Sequence, residues 1–203
     1  MKPFFYLFFL LPLVLSSQSN WQQKADYNMN VSVDVKTFEF SGNQEIVYTN
    51  NSPDTIRKVY YHLYFNAFKP GSQMDVRSLN ISDPDRRVKD RISKLKKSEE
   101  GDLSVFELKQ DGKPIVFEKQ ETVLLARLNK VLLPGKKTKL ALKFTGVVPK
   151  QIRRSGRNNN DGVALSMTQW FPKLAEYDFE GWHPNPYIAR EFHGVWGDYD
   201  VKI

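Results

Sequence analysis

The chain holds three histidines, and two of them, His183 and His193, lie in a segment dense with carboxylates, tryptophan and proline. Neutral imidazole and carboxylate are the usual nitrogen and oxygen ligands of zinc, so Asp178, Glu180 or Glu191 beside these histidines supplies the residue types of a His/carboxylate site. The spacing is not that of a helical His-x-x-x-His pair, and His62 belongs to a strand far back in the sequence. Histidines hydrogen-bonded within an aromatic loop explain the pattern without an ion, and no metal ligand is assigned on this chain. Other chemistry is scarce. There is no His-Glu-x-x-His, no Gly-x-Ser-x-Gly, no phosphate-binding glycine loop and no dinucleotide fingerprint. Cysteine is absent, which excludes thiolate zinc sites and leaves the core to hold the chain without disulfides.

The densest stretch is TQWFPKLAEYDFEGWHPNPY, Thr168 to Tyr187. Trp170, Trp182 and Trp196 fall in or just after it, and Pro172, Pro184 and Pro186 stiffen it. Exposed, such rings suit sugar stacking or a protein interface. Buried, they are core anchors. Both readings stand on composition alone.

The elements that must position these residues read as β. Met29, Val31, Val33 and Val35 alternate with polar residues, the period of a strand with one wet face. FEFSGNQEIVYTN continues as a hairpin with Ser41-Gly42-Asn43 at the turn, and Arg57 to Phe68 is an aromatic-rich strand. Residues 69–102 form a polar excursion with room for a short helix in DPDRRVKDRISKLKKSEEGD. Strands resume at LSVFELK and PIVFEKQ, joined by Gln110-Asp111-Gly112-Lys113, and Pro134-Gly135 turns the chain into another alternating strand. The fold class is all-β: an antiparallel saddle-like or sandwich domain of about nine strands, with no long amphipathic helix.

Residues 1–19 read as a secretory signal peptide, with Lys2 before an apolar run from Phe4 to Leu15 and small residues at SSQS. Residues 20–203 form the domain proper, about 180 residues and enough for one sizeable core. The protein is expected to be secreted or periplasmic, with no membrane span. Losing Lys2 takes the formal charge from +7 to +6. With secretion, and with Asp and Glu interspersed along the chain, the basic clusters Lys150–Arg157 and Arg86–Lys97 read as solvated loops, so no nucleic-acid partner is expected. The sequence closes on the strand DYDVKI, which suggests a piece of a longer polypeptide.

VYTNNSPDTIRKVYYHLYFNAFKPGS and QIRRSGRNNNDGVALSMTQWFPKLAEYDFEGWHPNPYIAREFHGVWGDYDVKI carry a resemblance. With the β-rich pattern between them they look like the amino-terminal domain of secreted M1 (gluzincin) zinc metallopeptidases of Bacteroidetes type, relatives of aminopeptidase N. The resemblance implies a β-domain packed on a catalytic domain of the same polypeptide, with zinc held there by His-Glu-x-x-His and a distant Glu. It implies no cofactor on this chain, and no hydrolysis by this chain alone. In the family this domain forms one wall of the cleft, where a Gln or Glu binds the free amino group of the peptide substrate. By position Gln169 is the first candidate and Glu176 the second. WFPKLAEYD departs in part from the usual Phe-Pro-Cys-x-Asp-Glu-Pro pattern, and Phe171 stands where some members of the family would place the amine binder. Trp170, Trp182 and Trp196 would then frame the surface meant for the catalytic domain. A free-standing secreted β-sandwich that binds protein or glycan is the alternative.

Overall fold

The computed structural model describes residues 21–81, 86–188 and 192–203. The expected signal peptide, and Glu191, lie outside them. Alternation at the start of the chain gives β1 (Lys24–Val33), which buries Ala25, Tyr27 and Met29 and turns Lys24, Asn28 and Asn30 outward. β2 (Glu39–Thr49) pairs with it antiparallel along its whole length. The turn lies earlier than the sequence suggested. Ser41, Gly42 and Asn43 are inside β2, opposite Ser32, Val31 and Asn30. Asp34 makes the actual turn: its Oδ1 accepts from the Lys36 and Thr37 amides at 2.7 and 3.1 Å, and Phe38 takes φ 64°. Val35 therefore stands on the turn, exposed, and not on the buried face. Gly42 serves packing instead, because a Cβ there would lie 2.6 Å from the Phe144 ring.

β3 (Ile56–His62) is shorter than the aromatic run promised, and Tyr64–Ala67 coils into a 3-10 turn. Asn66 explains the break. Its side chain donates to the Leu103 and Glu121 carbonyls at 2.9 and 3.0 Å and accepts from the Leu103 amide at 2.9 Å, doing the work of a strand partner. The helix of the polar excursion also lies earlier than expected. α1 (Gln73–Asn80) starts at Ser72, whose hydroxyl accepts from the Asp75 amide, and the described part of DPDRRVKDRISKLKKSEEGD holds only turns and a 3-10 turn at Lys97–Glu99. Nor does the excursion merely cover surface. Val88 and Ile92 join Tyr64, Phe68, Met74, Ile152 and Tyr187 in a second, smaller core.

β4 (Asp102–Gln110) returns through Asp111 and Gly112, both at positive φ, into β5 (Lys113–Pro114), the hairpin expected from Asp-Gly. β6 (Phe117–Gln120) and β7 (Val123–Leu132) form the next hairpin, so PIVFEKQ is split between two sheets. After Pro134-Gly135 comes β8 (Lys137–Val147). Two-residue strands follow: β9 (Gly156–Arg157), β10 (Leu165–Ser166), β11 (Lys173–Leu174), β12 (Tyr177–Asp178) and β13 (Gly181–Trp182). The last, β14 (Tyr199–Lys202), is parallel to β1.

Two large sheets result, ordered β14-β1-β2-β8-β4-β5 and β11-β3-β7-β6, beside the two-stranded pairs β10-β9 and β12-β13. Their inner faces share one core in which Tyr48, Tyr61, Leu124, Leu140 and Phe144 are buried. This is a sandwich, antiparallel except for β14, as the fold-class reading expected. Among the described residues no helix is long and apolar enough to cross a membrane.

Candidate functional site in the carboxy-terminal segment

Past Thr168 the chain has little ladder of its own and is held by side chains from the sandwich. The buried Gln44 amide donates to the Pro172 carbonyl at 2.9 Å, and the Leu174 amide donates to the Tyr27 hydroxyl at 3.0 Å. β11 then adds an edge to the smaller sheet, placing Lys173 opposite His62 and Leu174 opposite Tyr61. Next, β12 and β13 form a small hairpin with Phe179 and Glu180 at its tip, and Gly181 takes φ 99° to close it. The pairing runs one step further, with the His183 amide donating to the Glu176 carbonyl at 2.9 Å.

That hairpin gathers what the sequence scatters. His183 Nε2 and Asp178 Oδ1 are 2.8 Å apart, and the His193 ring lies 4.8 Å from the His183 ring, edge to face. One ligand atom from each of Asp178, His183 and His193 falls within 4.8 Å of the others. His62 arrives from β3 and is buried at 3 % exposure, its ring stacked on Tyr64. Neither of its nitrogens makes a well-aligned hydrogen bond, although the His183 carbonyl acts on the ring. All three histidines therefore meet in one region, and His62 is not remote from the other two.

The electrostatics follow from burial. Desolvation pushes His62 down to about 4, so its imidazole is neutral at neutral pH. Burial likewise lowers Lys173, against the pull of Glu176, and raises Glu176, against the Tyr177 amide. Partial burial works to raise Asp178, but the His183 ring and the Glu180 amide outweigh it and hold the carboxyl below its usual range. A neutral imidazole, a His–carboxylate pair and one lysine thus meet in one region, brought together by β3 and β11.

Gln169 sits in the left-handed region at φ 55°, a conformation that costs a non-glycine residue about 1–3 kcal/mol. Its Oε1 is buried without a hydrogen-bond partner among the described residues. Glu176 is partly buried beside the histidine group, and no hydrogen bond joins it to Gln169. The tryptophans divide. Trp170 packs on Phe40, Phe144 and Phe171, and Trp182 on Tyr48, Tyr60 and Tyr177, so both indoles are used within this chain. Trp196 is 75 % exposed and Phe179 87 %.

No family model matches this chain, and no curated protein matches it. Solved structures do. An M1 zinc metallopeptidase from Deinococcus radiodurans is 12 % identical with TM-score 0.44, over 73 % of this chain and 26 % of that one. A point mutant of that enzyme bound to a Tyr-Ser-Ala substrate is 12 % identical with TM-score 0.45, over 80 % and 29 %. A two-domain M1 zinc metallopeptidase mutant bound to L-tryptophan is 14 % identical with TM-score 0.42, over 80 % and 28 %. The chain thus spans less than a third of the length of each.

The sequence could have disclosed the Asp178–His183 pair. Asp-Phe-Glu-Gly is a two-residue hairpin turn ending in glycine, which folds Asp178 and His183 onto one end. Read as irregular loop, it hid the proximity. The His62–Lys173 pairing had no local signal, since it joins residues more than a hundred positions apart.

Proposed function

We propose that this chain is the amino-terminal, cleft-wall domain of a secreted, Bacteroidetes-type M1 zinc aminopeptidase, with peptide hydrolysis carried out by a zinc-bearing catalytic domain of the same polypeptide. The observation that carries the reading is the open edge at β14. The strand pairs parallel with β1 on one side and with no described strand on the other, and Tyr199 and Val201 on one of its faces are both partly exposed. Trp196 just before it stands in solvent. Gly197 fixes this edge in place: a Cβ there would sit 1.6 Å from the Ala25 carbonyl oxygen, so only glycine lets the chain close on β1. An open ladder edge lined with aromatic and branched side chains is a surface that proteins normally cover. The residue order from Thr168 to Ile203, which resembles that of the M1 amino-terminal domain, supports a catalytic domain as the cover.

In this reading Gln169 is the acceptor for the substrate's free amine, and Glu176 is the second candidate for that role. Gln169 fits the role because its Oε1 has no partner within the chain and its backbone is held in a costly conformation. The test is kinetic, on the full-length polypeptide with an aminoacyl amide substrate. A hydrogen bond to a charged amine contributes about 1.5–3 kcal/mol, so Gln169→Ala lowers kcat/KM about 10- to 100-fold. An unchanged kcat/KM in both Gln169→Ala and Glu176→Gln would remove the amine-binding role from this wall.

A further inference from the structure

We propose that Asp178, His183 and His193 form a binding site for a divalent transition metal ion of the zinc class, at the open end of the β12–β13 hairpin. The donor set is two imidazoles and one carboxylate, the combination that leaves a coordination position free for water or a ligand. The three donor atoms lie within 4.8 Å of one another, and Asp178 and His183 are already in contact at 2.8 Å. A tetrahedral zinc with bonds of about 2.0–2.2 Å spaces its ligands roughly 3.3 Å apart. An ion would therefore widen the Asp178–His183 contact slightly and draw His193 inward, a movement open to an exposed side chain.

His62 supplies the independent support. It is an imidazole, almost wholly buried, whose nitrogens make no well-aligned hydrogen bond and which lies against the His183 carbonyl. An unspent buried imidazole behind two histidine donors costs stability unless the region uses it, as an outer-shell partner does when it orients a metal ligand. One group opposes a cation. Lys173 runs past Gly194, and a Cβ on that glycine would lie 3.3 Å from its Nζ, next to His193. Glu176 sits opposite that charge and attenuates it.

The site is independent of the aminopeptidase reading, because the zinc of that reading belongs to the catalytic domain and not to these residues. The experiment uses the untagged 203-residue chain, stripped with a chelator and titrated first with Co2+, then with Zn2+. The expected result is one Co2+ per chain with a ligand-field spectrum of four- or five-coordinate cobalt, displaced by one Zn2+. His193→Ala and Asp178→Asn weaken binding at least 10-fold, and His193→Ala does so without changing the metal-free melting temperature, since His193 is exposed. Lys173→Met tightens binding several-fold by removing the opposing charge, which a nonspecific surface ion would not report. No spectrum and no saturable binding at millimolar Co2+ would overturn the proposal. So would full affinity in both His193→Ala and Asp178→Asn, since the ion would then sit elsewhere. Loss of this site would leave the Gln169 kinetics untouched, so the two readings fail separately.

Discussion

The sandwich up to Val147 and the segment from Thr168 onward are held by different physics. In the first, strands of up to eleven residues pair in full register and bury one continuous core, as between β2 and β8. In the second, strands of two residues are pinned by outside side chains such as Gln44 and Tyr27. The two regions also differ in what they leave over: in the framework Gln44 Oε1 and the Tyr48 and Tyr61 hydroxyls are buried without a hydrogen-bond partner among the described residues, whereas the second region leaves Phe179 and Trp196 in solvent. Large rings that stand in solvent on a segment with so little ladder of its own form a surface suited to cover from outside.

Three perturbations sharpen or break that contrast. The largest effect belongs to the framework. Phe144 is fully buried, and its ring lies over Gly42 and against Phe40 and Trp170. Phe144→Ala is expected to cost about 3–5 kcal/mol in denaturant unfolding. A loss below about 1 kcal/mol would mean that the core is not the single packed unit described.

A somewhat smaller effect comes from acid. The folded-state pKa of His62 is depressed to about 4 from 6.5. Between those values the unfolded chain binds a proton that the folded chain refuses, so stability is intact above about pH 6.5 and falls as pH drops toward 4. The full shift corresponds to about 3 kcal/mol. Glu176 works in the opposite sense, because burial raises its pKa and favours the folded state on protonation; being half exposed, it offsets only part. Metal-free protein unfolded at pH 7 and at pH 4 should show the loss, and His62→Phe should flatten it. A pH-independent stability in the parent chain would mean that the His183 carbonyl holds a proton on His62 strongly enough to offset its burial.

The smallest expected effect is at Trp196. Its side chain is exposed, so Trp196→Ala should change the stability of this chain by no more than about 0.5 kcal/mol. A cost of 2 kcal/mol would make Trp196 part of this domain's own core, and the contrast between the two regions would fail there.

Legibility in the sequence tracked the same division. Alternation disclosed β1 and β8, and Asp111-Gly112 and Pro134-Gly135 marked turns that the chain makes, because these signals are local. Position within a hairpin was less legible. Gly42 looked like a turn residue, whereas its use is to admit the Phe144 ring from a strand a hundred positions away. Asn66 likewise ends β3 by bonding to backbone that the sequence places far off. The individual site residues Asp178, His183 and His193 were visible as residue types. Their meeting was not, because it depends on a two-residue hairpin and on β11 docking beside β3. Exposure was legible only in aggregate: of the three tryptophans that the resemblance assigned to an interface, Trp170 and Trp182 pack within the chain and Trp196 stands out.

The central claim, that this domain is one wall of a metallopeptidase cleft, is tested most directly by reading the coding DNA beyond the codon for Ile203. The account predicts an open frame that continues into His-Glu-x-x-His followed by a distant Glu, in a domain able to cover Trp196 and the β14 edge. A frame that closes there, or one that runs on without that motif, would contradict it.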